Sequence, residues 1–271
     1  MQFNLAQQRT TDPIPSEPAR LSPRFWRAVL PLIVFAIFLL TWEALVRLGD
    51  YPAFLLPTPE RVALKFVTVL QDGTLIRNTF VTLIEVLGGL ALGAVLATAL
   101  GYLLAKSVTL DRALSPYLVA SQAVPIIAIA PLLVIWFGSG LISKVLISAL
   151  IVFFPILINT IAGVRGVPSE LHDLMRSLNA RRWQTFAKLE VPAAMPVLLA
   201  GLKVGATLSV IGAVVGEFAG SEAGLGFMVS VANGQYDTAR MFVGVFALIG
   251  LALALYGTVA LIERRALAWR K

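Results

Sequence analysis

Six apolar runs, each close to the length that a lipid bilayer demands, leave this chain little freedom in how it folds. They cover approximately Val29–Leu48, Thr79–Leu104, Tyr117–Phe137, Leu141–Val164, Val197–Ala219 and Met241–Ile262. A helix needs about 20 apolar residues to cross the hydrocarbon core. Lipid offers no hydrogen-bond partners, so each span must satisfy its own backbone as a helix. The sequence therefore predicts an all-α, polytopic membrane protein with about six transmembrane helices. Composition agrees: of 271 residues, 58% are hydrophobic and 14% charged, against about 25% charged in a soluble domain. Residues 1–28, with Pro13, Pro15, Pro18 and Pro23, read as a flexible tail, 29–263 as the membrane domain and 264–271 as a basic tail. The first apolar run begins too late and continues too long for a cleavable signal, so it reads as a retained helix.

A net charge of +7 would suggest nucleic acid in a soluble protein. Here the distribution of the charge explains it, and no nucleic-acid partner is expected. With the amino terminus in the cytoplasm, sixteen of the 22 Lys and Arg residues fall on the cytoplasmic side, as the positive-inside rule requires. Both termini and the insert at 165–196 are then cytoplasmic. The absence of cysteine excludes disulfides, thiol catalysis and Cys-ligated metals. His172, the only histidine, cannot by itself build a zinc site or a catalytic triad. No G-x-x-x-x-G-K-[ST] motif occurs, so the chain has no loop to cradle ATP phosphates. The expectation is no catalytic residue, no metal and no bound cofactor, with energy supplied by a partner.

The polar insert carries an ordered pattern, ELHDLMRSLNARRWQTFAKLEVP, over Glu170–Pro192. Pro168 and Ser169 supply a helix start, and Glu170 and Asp173 place acid in the first turn, where the helix dipole favours it. Leu171, Leu174, Met175 and Leu178 form an apolar ridge. Asn179 suits a left-handed helix end, ahead of Ala180. A second short helix then reads as closing at Pro192. Such an elbow is what a membrane protein needs to dock a soluble partner.

Within the spans, Glu85, Gly89, Gly93, Ala97 and Gly101 form one small-residue stripe, and Gly201, Gly205, Ser209 and Ala213 another. Both suit close helix packing, and both could also line a translocation path. Pro125 and Pro131 should bend the third span. Glu60–Leu70 reads as an amphipathic outer helix, lying on the membrane or touching an extracytoplasmic protein. Residues 220–240 read as a Gly-rich outer loop. Glu43 and Arg47 have ion-pair spacing, and Glu85 is placed towards the outer interface. Glu217 either shapes the outer mouth or caps a packing contact. Ser121, Gln122 and Asn159 either contact solute or bond between helices. With Ser209 and Glu217 they make up the candidate substrate path.

The insert resembles the cytoplasmic loop of ABC-importer permeases, an acid, two small residues, a Gly, and an apolar residue with Leu-Pro. Glu170, Asn179 and Val191-Pro192 occupy the matching places, while Leu171 and His172 replace the two small residues and Asn179 replaces the Gly. Further echoes are Trp42-Glu43, Leu56-Pro57-Thr58-Pro59, Pro131-Leu132, Trp136-Phe137-Gly138 and Gly216-Glu217…Gly224-Leu225-Gly226. They are nearest to permeases of the nitrate, sulfonate, taurine and pyrimidine-precursor group. The resemblance implies a type I importer-like permease of the bacterial inner membrane, working as a homodimer. Its partners would be two cytoplasmic ATPase subunits, which carry ATP and Mg, and an extracytoplasmic solute-binding protein. Glu170, Asp173, Leu174, Leu178, Asn179, Ala180 and Pro192 would couple to the ATPase. Gly216–Ser221 looks most like permeases for thiamine-pyrimidine precursors or riboflavin. Nitrate, sulfonate or taurine is the alternative for the same machinery. An ion-coupled secondary transporter is the alternative from another class; it would need membrane-centre acids and an internal repeat.

Overall fold

The computed structural model describes residues 23–270. The tail expected over 1–28 therefore lies mostly outside the described residues, and helix α1 (Pro23–Leu48) already begins at Pro23. It belongs to a compact unit of its own that ends at Asp50. Within it the Arg47 guanidinium donates to Glu43 at 2.5 Å, the ion pair that the spacing predicts.

The second unit, from Tyr51 onward, holds α2 (Pro59–Gln71), α3 (Thr74–Lys106), α4 (Val108–Gln122), α5 (Ile126–Phe137), α6 (Leu141–Arg165), α7 (Ser169–Ser177), α8 (Arg182–Thr185), α9 (Val191–Ala219), α10 (Leu225–Gly234) and α11 (Thr238–Ala266). Among the described residues, five helices are long and apolar enough to cross a membrane, or six if α4 and α5 count as one span. That pair corrects the expected third span. The chain is broken rather than curved there, turning by 93° between the two helices. Pro125 is the reason: it has no N–H to continue α4, and it restricts Val124 before it to non-helical angles. Pro131, by contrast, is accommodated inside α5.

Helix α6 is the centre of the bundle, with α3 on one side and α9 on the other. The two small-residue stripes face it. A Cβ on Gly93 would stand 2.8 Å from the Ala149 carbonyl oxygen, one on Gly201 2.6 Å from the Asn159 Cβ, and one on Gly212, beside the second stripe, 2.5 Å from the Ser148 Cα. Only glycine permits backbones to approach so closely, and in lipid this contact is what holds helices together. Val86 of α3 and Ala206, Val210 and Ala213 of α9 share a second buried cluster with Leu255 and Val259 of α11.

Helix α2 does not lie free on a membrane surface. Val62 and Val69 are buried, its packing partner is α11, and the Lys65 ammonium donates to Asp237 at 2.8 Å. Residues 220–240, read as a loop, contain α10, an apolar helix too short to span a bilayer.

Candidate functional site: a helical elbow and the bundle end that carries it

Helix α7 leaves the end of α6 and starts after Pro168, with Glu170 in its first turn. It closes as the sequence predicts: Asn179 sits at φ +52°, and the Ala180 and Asn179 amides donate to the Met175 and Arg176 carbonyls at 3.0 and 2.9 Å. This pair of bonds is the Schellman closure, which ends a helix and satisfies its last carbonyls. No residue of α7 is buried. Leu174 and Leu178 are 53% and 67% exposed, so its apolar ridge faces outward with nothing on it. Asp173 pairs with Arg176 on the same exposed surface.

The second arm differs from the expectation. It does not close at Pro192. Helix α8 runs into a π-turn at Phe186–Glu190 and on into α9, a continuous helical path over Arg182–Ala219. Pro192 follows directly on the π-turn, in the first turn of α9. The wider π-turn before it relieves the clash that a proline ring would make with the preceding turn.

Under the elbow lies a charged knot that motif reading did not single out. Glu190, 3% exposed, accepts a hydrogen bond from the Tyr102 hydroxyl at 2.9 Å and one from the Lys106 ammonium. His172 Nε2 stands 3.3 Å from the same carboxylate. The Tyr102 ring meets Phe186 edge-on with centroids 5.2 Å apart. Beside the knot is a cavity of about 730 Å³, lined among others by Lys106, His172, Arg176 and Arg182. One turn away, Arg165 donates to the Leu104 carbonyl at 3.0 Å and pairs with Asp111 at 2.8 Å. The end of α3 is thus tied to α4, α6 and α9. An acid in the otherwise apolar Leu189–Val191, with Tyr102 and Lys106 one helical turn apart, was the available signal.

The opposite end of the bundle holds a second buried acid. Glu217 accepts from the Thr82 hydroxyl at 2.6 Å and from the Phe227 amide at 3.0 Å. The Leu225 amide donates to the Thr82 oxygen and the Gly224 amide to Asn78, both at 2.8 Å. Together Asn78, Thr82 and Glu217 satisfy the Gly224, Leu225 and Phe227 amides at the start of α10. In this geometry Glu217 caps the start of α10. Glu85 sits close by on the same face of α3, 3% exposed, with Oε2 lacking a hydrogen-bond partner among the described residues. Lys144, 1% exposed, donates to the Ser139 carbonyl and lies within electrostatic reach of Glu85, Glu217 and Glu222. Acids are therefore not confined to helix ends. The spacing of Asn78, Thr82 and Glu85, polar positions on the glycine-stripe face of α3, carried that information.

The candidate path residues are not gathered at one point. Ser209 is fully buried; its hydroxyl donates to the Ala206 carbonyl at 2.8 Å and its carbonyl accepts from Ser148 at 2.9 Å. Asn159 donates to the Pro155 carbonyl at 2.8 Å and packs on Gly201. Ser121 and Gln122 are exposed at the end of α4. Ser121 also lines an apolar cavity of about 400 Å³ between α3, α4, α5 and α6, with Phe153 and Phe154.

A bundle of long apolar helices sealed along glycine seams, with an exposed elbow at one end, defines a polytopic membrane transport subunit. The chain belongs to the family described as binding-protein-dependent transport system inner membrane component, whose profile matches residues 89–268. The riboflavin transport system permease protein of Chloroflexus aurantiacus is 43% identical over 257 residues, covering 92% of this chain and 96% of the relative. The formylaminopyrimidine transport permease protein of Halalkalibacterium halodurans is 34% identical, covering 92% and 98%. The taurine transport system permease protein of Escherichia coli is 28% identical, covering 90% of each. A methionine ABC transporter solved in inward-facing conformations has the same fold, with a TM-score of 0.62 at 19% identity over 72% of this chain and 97% of that one. The chain is an ABC permease, a multi-pass subunit of the inner membrane.

Proposed function

We propose that this chain is the membrane-spanning subunit of an ATP-driven importer that receives its solute from an extracytoplasmic binding protein. Two copies of the chain form the translocation unit, and each docks a cytoplasmic ATPase subunit on α7. The carrying observation is α7 itself, a short, firmly capped helix whose Leu174–Leu178 ridge is exposed on a polar elbow. A soluble partner with an apolar groove fits such a ridge. Closure of the ATPase pair pushes on the elbow, and the helices rock between two packings of the glycine seams; the protein does this work as a population shift. The elbow and both chain termini are cytoplasmic, and α2 with the start of α10 faces the binding protein.

The transported solute in this reading is riboflavin-like or a thiamine-pyrimidine precursor. The similarity to the riboflavin permease supports it, at 43% identity against 34% for the formylaminopyrimidine and aliphatic sulfonate relatives and 28% for the taurine one. The test is uptake into proteoliposomes holding this chain, its ATPase and its binding protein. Labelled riboflavin and a labelled hydroxymethylpyrimidine are compared with taurine. Uptake should require ATP and the binding protein. Uptake driven by an ion gradient, without the ATPase, overturns the proposal. Orientation has its own test, because the native chain contains no cysteine. In Ser221→Cys an impermeant maleimide should react from outside, and in Asn179→Cys only after the membrane is opened.

A further inference from the structure

We propose that Glu190 is a positioning residue that clasps the docking helix to the transmembrane bundle, so that force on α7 reaches α3 and α9 together. The inference rests on the reading of α7 as the ATPase-docking element. Its basis is geometric. The Glu190 carboxylate is buried and joins three elements: Tyr102 and Lys106 at the end of α3, His172 on α7, and its own position at the root of α9. Among the described residues, His172 with Glu190 is the one side-chain hydrogen bond between α7 and the transmembrane helices. Apolar packing adds little to it: no residue of α7 is fully buried, and Met175 is half-buried. The cavity of about 730 Å³ beside the knot leaves the elbow unsupported on that side.

A push on a helix that stands over a void would be lost in bending unless a bonded link crosses it. The contact of His172 with the Glu190 carboxylate is that link, and the Lys106 ammonium holds the same carboxylate to α3. The Lys106 bond is charge-assisted and directional, and losing Lys106 takes the nearest cation from a buried carboxylate. The π-turn at Phe186–Glu190 contributes by adding a residue to the turn. That puts positions before and after it out of α-helical phase, and π-turns of this kind recur at functional sites. It also places Phe186 against the Tyr102 ring, a second contact between the same two elements.

The experiment uses the full transporter, with ATPase and binding protein, in proteoliposomes. It reads two quantities: stimulation of ATP hydrolysis by loaded binding protein, and solute moved per ATP. Glu190→Gln and Lys106→Gln should each lower both at least fivefold, while Glu190→Asp recovers at least half of the native ratio. The double variant Glu190→Gln with Lys106→Gln removes both charges together, so it should regain thermal stability but not solute moved per ATP. Recovery of that ratio alongside stability would make the pair a packing feature only and overturn the clasp. Native coupling in Glu190→Gln would also overturn it. Leu174→Cys, crosslinked to cysteines in the ATPase groove, tests the underlying reading separately. A missing crosslink in the otherwise native protein sinks the docking role of α7 and the clasp with it. A crosslink with undisturbed coupling in Glu190→Gln sinks the clasp alone.

Discussion

Glu190 and Glu217 are the same residue type, almost equally buried, at opposite ends of one bundle, and the structure treats them differently. Glu217 is enclosed by backbone. Its carboxylate carbon would be 2.2 Å from a Cβ on Gly224, and it accepts from a main-chain amide and a hydroxyl on packed helices. Glu190 is held by long side chains, with a cavity next to them. The first arrangement fixes three helices as a rivet does. The second can keep its bonds while the parts it joins change angle. Burial alone does not say whether an acid holds a protein still or lets it move; the stiffness of its partners does.

The largest effect should come from attacking the rivet. Gly224→Ala forces a side chain into the Glu217 carboxylate at a residue whose φ is +116°. Overpacking and backbone strain together should cost roughly 3–5 kcal/mol, so the variant should fail to accumulate as a monodisperse species by fluorescence-detected size exclusion. Recovery of native behaviour would show that the α10 cap is soft, and the contrast with Glu190 would collapse.

The seam comes next. Gly212→Ala places its methyl 2.5 Å from the Ser148 Cα, a backbone atom that cannot swing aside. A cost of about 1–3 kcal/mol is expected, seen as a lowered midpoint in a thermal-shift assay. If stability is unchanged, the α6–α9 contact is looser than its geometry.

The elbow should answer in function more than in stability. Asn179, at φ +52°, tolerates Gly, while Val in the left-handed region is disfavoured by about 1–2 kcal/mol. Asn179→Val should insert into the membrane yet lose co-purification with the ATPase and vesicle uptake, and Asn179→Gly should keep both. Equal transport by the two would make the elbow a surface loop. The smallest effect should be Asp173→Ala. Its pair with Arg176 is exposed on both sides, so about 0–1 kcal/mol is at stake, and thermal stability should barely move.

Some of this was legible without coordinates. Five of the six apolar runs, the left-handed helix end at Asn179, the Glu43–Arg47 pair and the small-residue stripes all follow from local rules of helix length, capping, spacing and packing, and each is found in the structure. Those rules act within a turn or two of chain, so a sequence states them outright. What they cannot state is which faces meet. The opening of the third span at Pro125 by 93°, the path of the helix through Pro192, the seating of α2 on α11 and the folding of 225–234 into a capped helix all depend on contacts between distant segments. The two buried acids show the limit most clearly. Glu190 meets Lys106 across 84 positions and Glu217 meets Thr82 across 135, and a carboxylate in an apolar segment has no local partner that would reveal which cation or amide will compensate it. Sequence determined that this chain spans a membrane and bears an elbow. Tertiary packing alone decided which buried charges are paired, because only there do desolvation and its compensation come from different parts of the chain.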